Sequence, residues 1–372
     1  MKNSKTAIRR FLLVGFVCVA TIALSGCTKQ KADDFVKEQL EKVQAGDDAT
    51  AEFLLEQGIE KVDGDYVTAF PEELKEAYCT FIKEACGKVQ FHMIEAEKYN
   101  SGYKVRLEIT PVDVRETVNT TDDAYVRELQ SANLTNEVTA LLEKDASLLE
   151  DAKMADSEKV TLYLKKKDSG YQIEESDWEN CMASLLTGYM APYQHVAEIL
   201  DAGDYLKAYL DASCKGEVAQ YAKHVGMTEE EVLQQYEESF TDVNLGDMEF
   251  TPEQETRFLN AMKQMFKNCQ YEIGVPRKNE ADGYLIPVKT TPNLSLAQCG
   301  TAFQTAATNG NYSTVEEVKE GYLSTMEEFA ASPVYGEETS MDVNLPKGMM
   351  MFIGNSDSDV NKLLDLIMPS SE

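Results

Sequence analysis

Phe70-Pro71-Glu72-Glu73-Leu74-Lys75-Glu76-Ala77-Tyr78-Cys79-Thr80-Phe81-Ile82 has a second version in this chain, Thr251-Pro252-Glu253-Gln254-Glu255-Thr256-Arg257-Phe258-Leu259-Asn260-Ala261-Met262. Each begins with a proline suited to the first turn of a helix, followed by acidic residues that favour the positive end of the helix dipole. Each then places apolar residues at helical spacing. In the first they are Leu74, Ala77, Tyr78, Phe81, Ile82 and Ala85; in the second, Phe258, Leu259, Met262, Phe266 and Cys269. The same register continues downstream. Pro71 and Pro252, Gly102 and Gly283, and Pro111 and Pro292 are each 181 residues apart. Three landmarks at one spacing predict two similar units.

Working outward from the paired helices, strand signals come next. Tyr103, Val105, Leu107 and Ile109 alternate with Lys104, Arg106, Glu108 and Thr110, which predicts a half-buried strand. Val89, Phe91 and Met93 predict its partner, with a turn at Asn100-Ser101-Gly102. The second unit offers Tyr271, Ile273 and Val275, a turn at Asp282-Gly283, then Tyr284, Ile286 and Val288. Pro287 predicts that this last strand lies at an edge or bulge. Helical segments are expected over 124–149 and 296–329, and closing strands at Val160–Leu164, Tyr171–Ile173 and Met349–Ile353. Upstream, Ala45-Gly46-Asp47 and Ala202-Gly203-Asp204 are 157 apart and each predicts a helical hairpin. The drop from 181 to 157 implies an insertion of about 24 residues in the second unit, near 217–245. Thr228, with Glu231 three residues on, opens its helix as a capping box. The expected fold class is α+β, with helices packed on a curved antiparallel sheet in each unit. The expected units span 33–187 and 188–372.

The N-terminus carries a different signal. Lys2, Lys5, Arg9 and Arg10 precede an apolar run from Phe11 to Leu24 that is too short to span a membrane, the layout of a secretory signal peptide. Leu24-Ser25-Gly26-Cys27 resembles a bacterial lipobox. The resemblance implies a signal peptide over 1–26, cleavage after Gly26 and diacylglyceryl attachment to the Cys27 thiol. Residues 27–32 would then form a tether of at most ~17 Å from Thr28 to Ala32, and the membrane would be the first partner.

The chain has 372 residues, with 35 basic and 65 acidic side chains. Loss of the leader removes four basic residues and no acidic ones, taking the net charge from −30 to −34. Such a body is repelled by nucleic acid and anionic lipid, so nucleic-acid binding is excluded as an expectation. A hydrophobic content of 43% supplies a packed core. Cys79, Cys86, Cys181, Cys214, Cys269 and Cys299 remain beyond Cys18 of the leader and Cys27. Six cysteines allow 15 pairings, and spacing does not choose among them.

The order of elements resembles the NTF2-like or cystatin-like cone fold. The whole chain is similar to lipoproteins of Gram-positive bacteria with tandem domains of this kind and no assigned function. The residues that carry the resemblance are Leu24–Cys27, the two Ala-Gly-Asp segments, the Gly-Tyr strands and the Thr228-Glu229-Glu230-Glu231-Val232 insertion. The cone fold hosts pockets, enzymes and interfaces alike, so it implies no single function.

Chemistry-bearing motifs are sparse. His92, His195 and His224 stand in no metal-ligand spacing, and no G-x-S-x-G, G-x-G-x-x-G or Walker loop occurs. Asn355-Ser356-Asp357-Ser358-Asp359 begins like a calcium loop, but Val360 and Leu366 occupy the positions that need glycine and glutamate. Met349-Met350-Met351, with Met341, reads as the buried face of a strand. Tyr103, Tyr271 and Tyr284 are the residues placed to line the mouth of a cone. No cofactor, metal ligand or catalytic residue is predicted. The expected function is a membrane-anchored, extracytoplasmic, non-enzymatic binding or interaction module. An enzyme with a dispersed acid and tyrosine site, and a transporter's solute-binding subunit, are the alternatives.

The leader yields the first test. A Cys27→Ala variant is expected to leave the membrane fraction of the source organism, and its mass to lack a diacylglyceryl group. Retention of the variant with the membrane would overturn the anchor.

Overall fold

The computed structural model describes residues 31–167, 170–241, 249–348 and 358–369. The lipobox Leu24–Cys27, the strand expected at Met349–Ile353 and residues 355–357 of the calcium-like loop lie outside the described residues. The chain is α+β with antiparallel sheets and divides into two compact units. Of the described residues, one unit holds 31–125 and 133–196, the other 126–132 and 197–369.

The first unit opens with α1 (Ala32–Gln44) and α2 (Asp48–Val62). Gly46, at φ +82°, supplies the left-handed turn between them, and Asp47 caps α2 by accepting from the Thr50 amide at 3.1 Å. A 3-10 turn at Glu72–Leu74 leads into α3 (Lys75–Cys86), which buries Tyr78, Phe81, Ile82 and Ala85. Then come β1 (Gln90–Tyr99), β2 (Gly102–Thr110), β3 (Val112–Asp113), α4 (Val114–Val126), α5 (Leu134–Leu148), β4 (Glu158–Lys167), β5 (Gly170–Ile173), α6 (Glu175–Ala183) and β6 (Leu186–Thr187). The sheet runs β1-β2-β4-β5, antiparallel throughout, while β3 and β6 form a short parallel pair. Alternation along β2 buries Val105, Leu107 and Ile109 on one face, as the sequence predicts.

Helix α7 (Ala191–Leu210) follows and continues into a π-helical turn at Asp211–Lys215. The two insertion helices are α8 (Ala219–Val225) and α9 (Glu229–Thr241), with Thr228 and Glu231 forming the reciprocal cap. Next are α10 (Pro252–Lys267), β7 (Gln270–Ile273), β8 (Arg277–Lys278), β9 (Tyr284–Thr291), α11 (Ser295–Thr308), α12 (Val315–Ala331), β10 (Thr339–Leu345) and α13 (Asp359–Ile367). The second sheet is antiparallel, ordered β10-β9-β7, with β8 also on β9.

The 181-residue spacing extends to individual backbone contacts. Ala155 N–H donates to Pro111 O and Gly336 N–H to Pro292 O, both at 2.9 Å. Asp113 N–H donates to Lys153 O and Leu294 N–H to Val334 O, both at 2.8 Å. Isolated bridges join Val112 to Met154 and Asn293 to Tyr335. The Tyr163 amide donates to Asp177 at 2.9 Å, and the Asn344 amide to Asp359 at 3.2 Å.

Three expectations require correction. Ala202-Gly203-Asp204 forms no hairpin; it lies inside the continuous α7. Gly203 is needed there for close packing, because a Cβ would come within 2.9 Å of Pro276 Cγ. Pro287 sits on a central strand, since β9 pairs with both β10 and β7. Its carbonyl accepts from Gly274 at 2.7 Å, so its ring nitrogen faces the same side, where β7 has just ended. The missing donor therefore falls where the ladder is already interrupted. Finally, the strand 181 residues after β4 is β10, which the sequence reading left outside its strands.

Gly102 and Gly283 share a steric cause. A Cβ on Gly102 would stand 1.9 Å from Leu164 O, and one on Gly283 would stand 2.6 Å from Leu345 O. Gly102→Ala is expected to cost about 1–3 kcal/mol, the range for overpacking a close contact. Urea unfolding measures it, and an unchanged midpoint would remove this account of the Gly-Tyr motif.

Candidate functional site

The strongest concentration of unusual chemistry lies inside the first unit, on three helices. Asp145 sits on α5 in line with Val138, Leu141 and Leu142, where helical spacing calls for an apolar residue. Asp122 lies on α4, four residues beyond the buried Val118. Both carboxylates are completely shielded from solvent. His195, on α7, brings Nδ1 to 2.7 Å from Asp122 Oδ2 and remains partly exposed. The Tyr78 hydroxyl, also fully buried, accepts from the Tyr193 amide at 2.9 Å.

Two carboxyl groups enclosed together cannot both carry charge cheaply. Burial is the leading cause that raises Asp145, to about 9, followed by the charge of Asp122 and a hydrogen bond to it; Lys144 opposes the shift. Asp145 is therefore a neutral acid at pH 7, able to donate its proton to Asp122. Asp122 Oδ1 and both Asp145 oxygens are buried without another hydrogen-bond partner. One proton shared between the two groups resolves that deficit. Burial likewise holds the Tyr78 hydroxyl well above its usual range, with Asp122 and Asp145 adding to the effect.

The second unit supplies an internal control. At the 181-residue spacing, Tyr78, Asp122 and Asp145 correspond to Leu259, Phe303 and Met326. The corresponding helices α5 and α12 start at that spacing, at Leu134 and Val315, as do α4 and α11, at Val114 and Ser295. An apolar trio thus occupies the matching positions, so this arrangement of helices and sheet has no general need for acids there. The acid cluster is specific to the first unit.

A second histidine site lies in the other unit. His224, on α8, is nearly inaccessible and places Nε2 at 2.9 Å from Asp204 and Nδ1 at 3.8 Å from Asp201. Gln220 also donates to Asp204, at 2.7 Å. The His224 hydrogen bond leads the causes that hold Asp204 below the usual carboxylate range. Asp204, expected as a helix cap, instead holds the insertion against α7. Tyr205 packs edge-on to the His224 ring at 5.5 Å.

The other residues singled out by sequence do not form one site. His92 is exposed on β1, opposite Glu108 in the ladder. Tyr103 meets Tyr171 edge-on at 5.5 Å in the first unit. In the second, Tyr271 donates to Asp211 at 2.7 Å and Tyr284 to Glu198 at 2.9 Å. Tyr271 pairs with Thr290, six residues along β9 from Tyr284, so their backbones are about 20 Å apart. Ser358 caps α13, and Asp359 serves as an acceptor for Asn344. Met341 lies on β10 opposite Val288. No group of three histidine, cysteine or acidic residues suited to a metal ion occurs among the described residues. No helix among them is long and apolar enough to cross a membrane.

No protein-family model matches the chain, and no curated protein matches it significantly. Among solved structures, a chain named "putative lipoprotein (ycdA)" from Bacillus subtilis is similar at 14% identity and a TM-score of 0.35, over 75% of this chain and 96% of that one.

The acid pair predicts an unusual pH dependence. An unfolded aspartate is charged above about pH 4, whereas folded Asp145 keeps its proton to about 9. The folded state binds the extra proton, so stability falls as pH rises through this window, by about 1 kcal/mol per pH unit. Asp145→Asn keeps a donor toward Asp122 and removes that proton. Its urea midpoints between pH 5 and 8 are expected to fall less steeply than those of the wild type. Parallel profiles would rule out a proton held at Asp145.

Proposed function

We propose that this protein is a lipoprotein anchored through Cys27 outside the cytoplasm, made of two NTF2-like or cystatin-like units, which acts by binding a partner rather than by turnover. The two-unit reading is supported by backbone hydrogen bonds that recur at the 181-residue spacing. The observation that carries a binding role is strand β1. It spans ten residues, and among the described strands it pairs with β2 alone. It presents Ile94 and Tyr99 at 43% and 48% exposure. The Tyr99 ring lies 5.1 Å from that of Tyr163 on β4, giving an aromatic pair on the same sheet. A long edge strand with exposed apolar groups suits contact with another chain or an apolar ligand.

The enzyme alternative draws on Asp122, Asp145 and Tyr78. Their complete burial counts against it, because a general acid must come within hydrogen-bond reach of its substrate. The antiparallel sheets count against the two α/β lobes of a solute-binding subunit.

The test uses the protein released from source membranes. Native and denatured masses are compared, and a photo-crosslinker is placed at Tyr99 in cells. A bound species lost on denaturation, or a discrete adduct at Tyr99, is expected. Substrate turnover abolished by Asp145→Asn would replace the binding role with an enzymatic one, and failure of both binding readouts would also end it.

A further inference from the structure

Cys214 and Cys269 are 55 residues apart in sequence, and the fold of the second unit brings them together. Cys214 lies in the π-helical turn at the end of α7, and Cys269 stands between α10 and β7. Both are buried. Their neighbours fix the approach independently of the thiols. Tyr271, two residues after Cys269, donates to Asp211 at 2.7 Å, three residues before Cys214. Lys215, the residue after Cys214, holds its ammonium 4.3 Å above the centre of the Tyr271 ring. Lys207 and Lys215 both pair with that same Asp211 carboxylate. Two residues beyond one thiol, the chain is therefore clamped to both flanks of the other.

We infer that Cys214 and Cys269 form a built disulfide site that ties together the two ends of the insertion unique to the second unit. The remaining body cysteines differ. Burial leads the causes that raise Cys79, Cys86, Cys181 and Cys299, and no other thiol contributes. For Cys269 the leading cause is its hydrogen bond with Cys214. At the 181-residue spacing the first unit has Lys88 in place of Cys269, and it carries no matching insertion.

The chemistry requires an external disulfide, such as oxidised glutathione or an exported dithiol oxidoreductase. The thiolate of one cysteine attacks that disulfide, forming a mixed disulfide and releasing one thiol. The second cysteine then displaces the other, leaving the Cys214–Cys269 bond. Two protein thiols lose two protons and two electrons, and one external disulfide becomes two thiols. Because both thiols are buried, exchange belongs to the folding chain; the folded protein shields the pair in whichever state it was closed. Closing a loop of this length over two helices is expected to raise the thermal midpoint by about 10 °C.

The test is refolding of residues 28–372 from denaturant in a reduced and oxidised glutathione couple, then alkylation under denaturing conditions and peptide mapping. A linked Cys214–Cys269 peptide is expected, together with a higher midpoint than that of chain refolded under reductant. The linked peptide should disappear in Cys269→Ser. Six alkylated cysteines, or another dominant pairing, would overturn the inference. Occupancy of the site in the organism rests on the extracytoplasmic reading, so the same mapping is applied to protein from source membranes. A link on refolding but free thiols in the native protein would retain the site and count against exposure to an oxidising exterior.

Discussion

Each sheet depends on the buried face of one central strand. In the first unit β2 pairs on both sides and buries Val105, Leu107 and Ile109 completely. In the second, β9 does the same with Ile286 and Val288. Burying each such side chain contributes about 1.5–3 kcal/mol. Because strand side chains alternate, a slip of one residue would turn the whole set outward. That fixes register. Register in turn brings the carbonyls of Leu164 and Leu345 onto Gly102 and Gly283, where no Cβ fits. It also sets the strand ends, so that Pro111 and Pro292 meet Ala155 and Gly336. The helices that follow leave from the same corner in both units.

Against that shared frame, the polar differences carry information. Tyr78, Asp122 and Asp145 occupy positions that the second unit fills with Leu259, Phe303 and Met326. A buried acid that keeps its proton avoids most of the cost of a buried charge, but gives up the stability that a well-packed apolar residue would add. The first unit therefore holds a group that weakens it as pH rises. His195, partly open to solvent and bonded to Asp122, links that interior to the outside. In the second unit His224 is enclosed and its carboxylates serve a packing contact. The two histidines thus have different tasks.

Much of the frame was legible in the sequence because it rests on periodicity. The stripe from Leu74 to Ala85, the alternation from Tyr103 to Ile109 and the 181-residue spacing each repeat a pattern long enough to stand out. Isolated residues misled. Ala202-Gly203-Asp204 matched Ala45-Gly46-Asp47 in letters, but one glycine serves a turn and the other serves contact with Pro276, a distinction made only by tertiary packing. Pro287 was assigned to an edge by a general rule, whereas the interruption after Ile273 makes room for it in the centre. The acid pair left a faint trace, since Asp145 breaks the stripe of α5. With 65 acidic residues in the chain, that trace gains meaning only when Asp122 and His195 come together in space.

The insertion gives the second unit a structural problem absent from the first. Its helices α8 and α9 contribute a small cluster of their own, with Val218, Ala222 and Val232 buried beside Ala212. A cluster of that size cannot hold two helices by itself, since each ordered residue costs about 1–2 kcal/mol in backbone entropy. The additional ties are polar or sulfur-based: His224 and Gln220 on Asp204, and the paired thiols at the insertion's two ends. The departures from the common pattern therefore follow a consistent division. The first unit puts its unusual residues into a sealed, proton-holding interior, while the second spends its own on securing an added segment. Residues that serve the frame can be exchanged between the units. Those that serve only one unit are where its separate role is written.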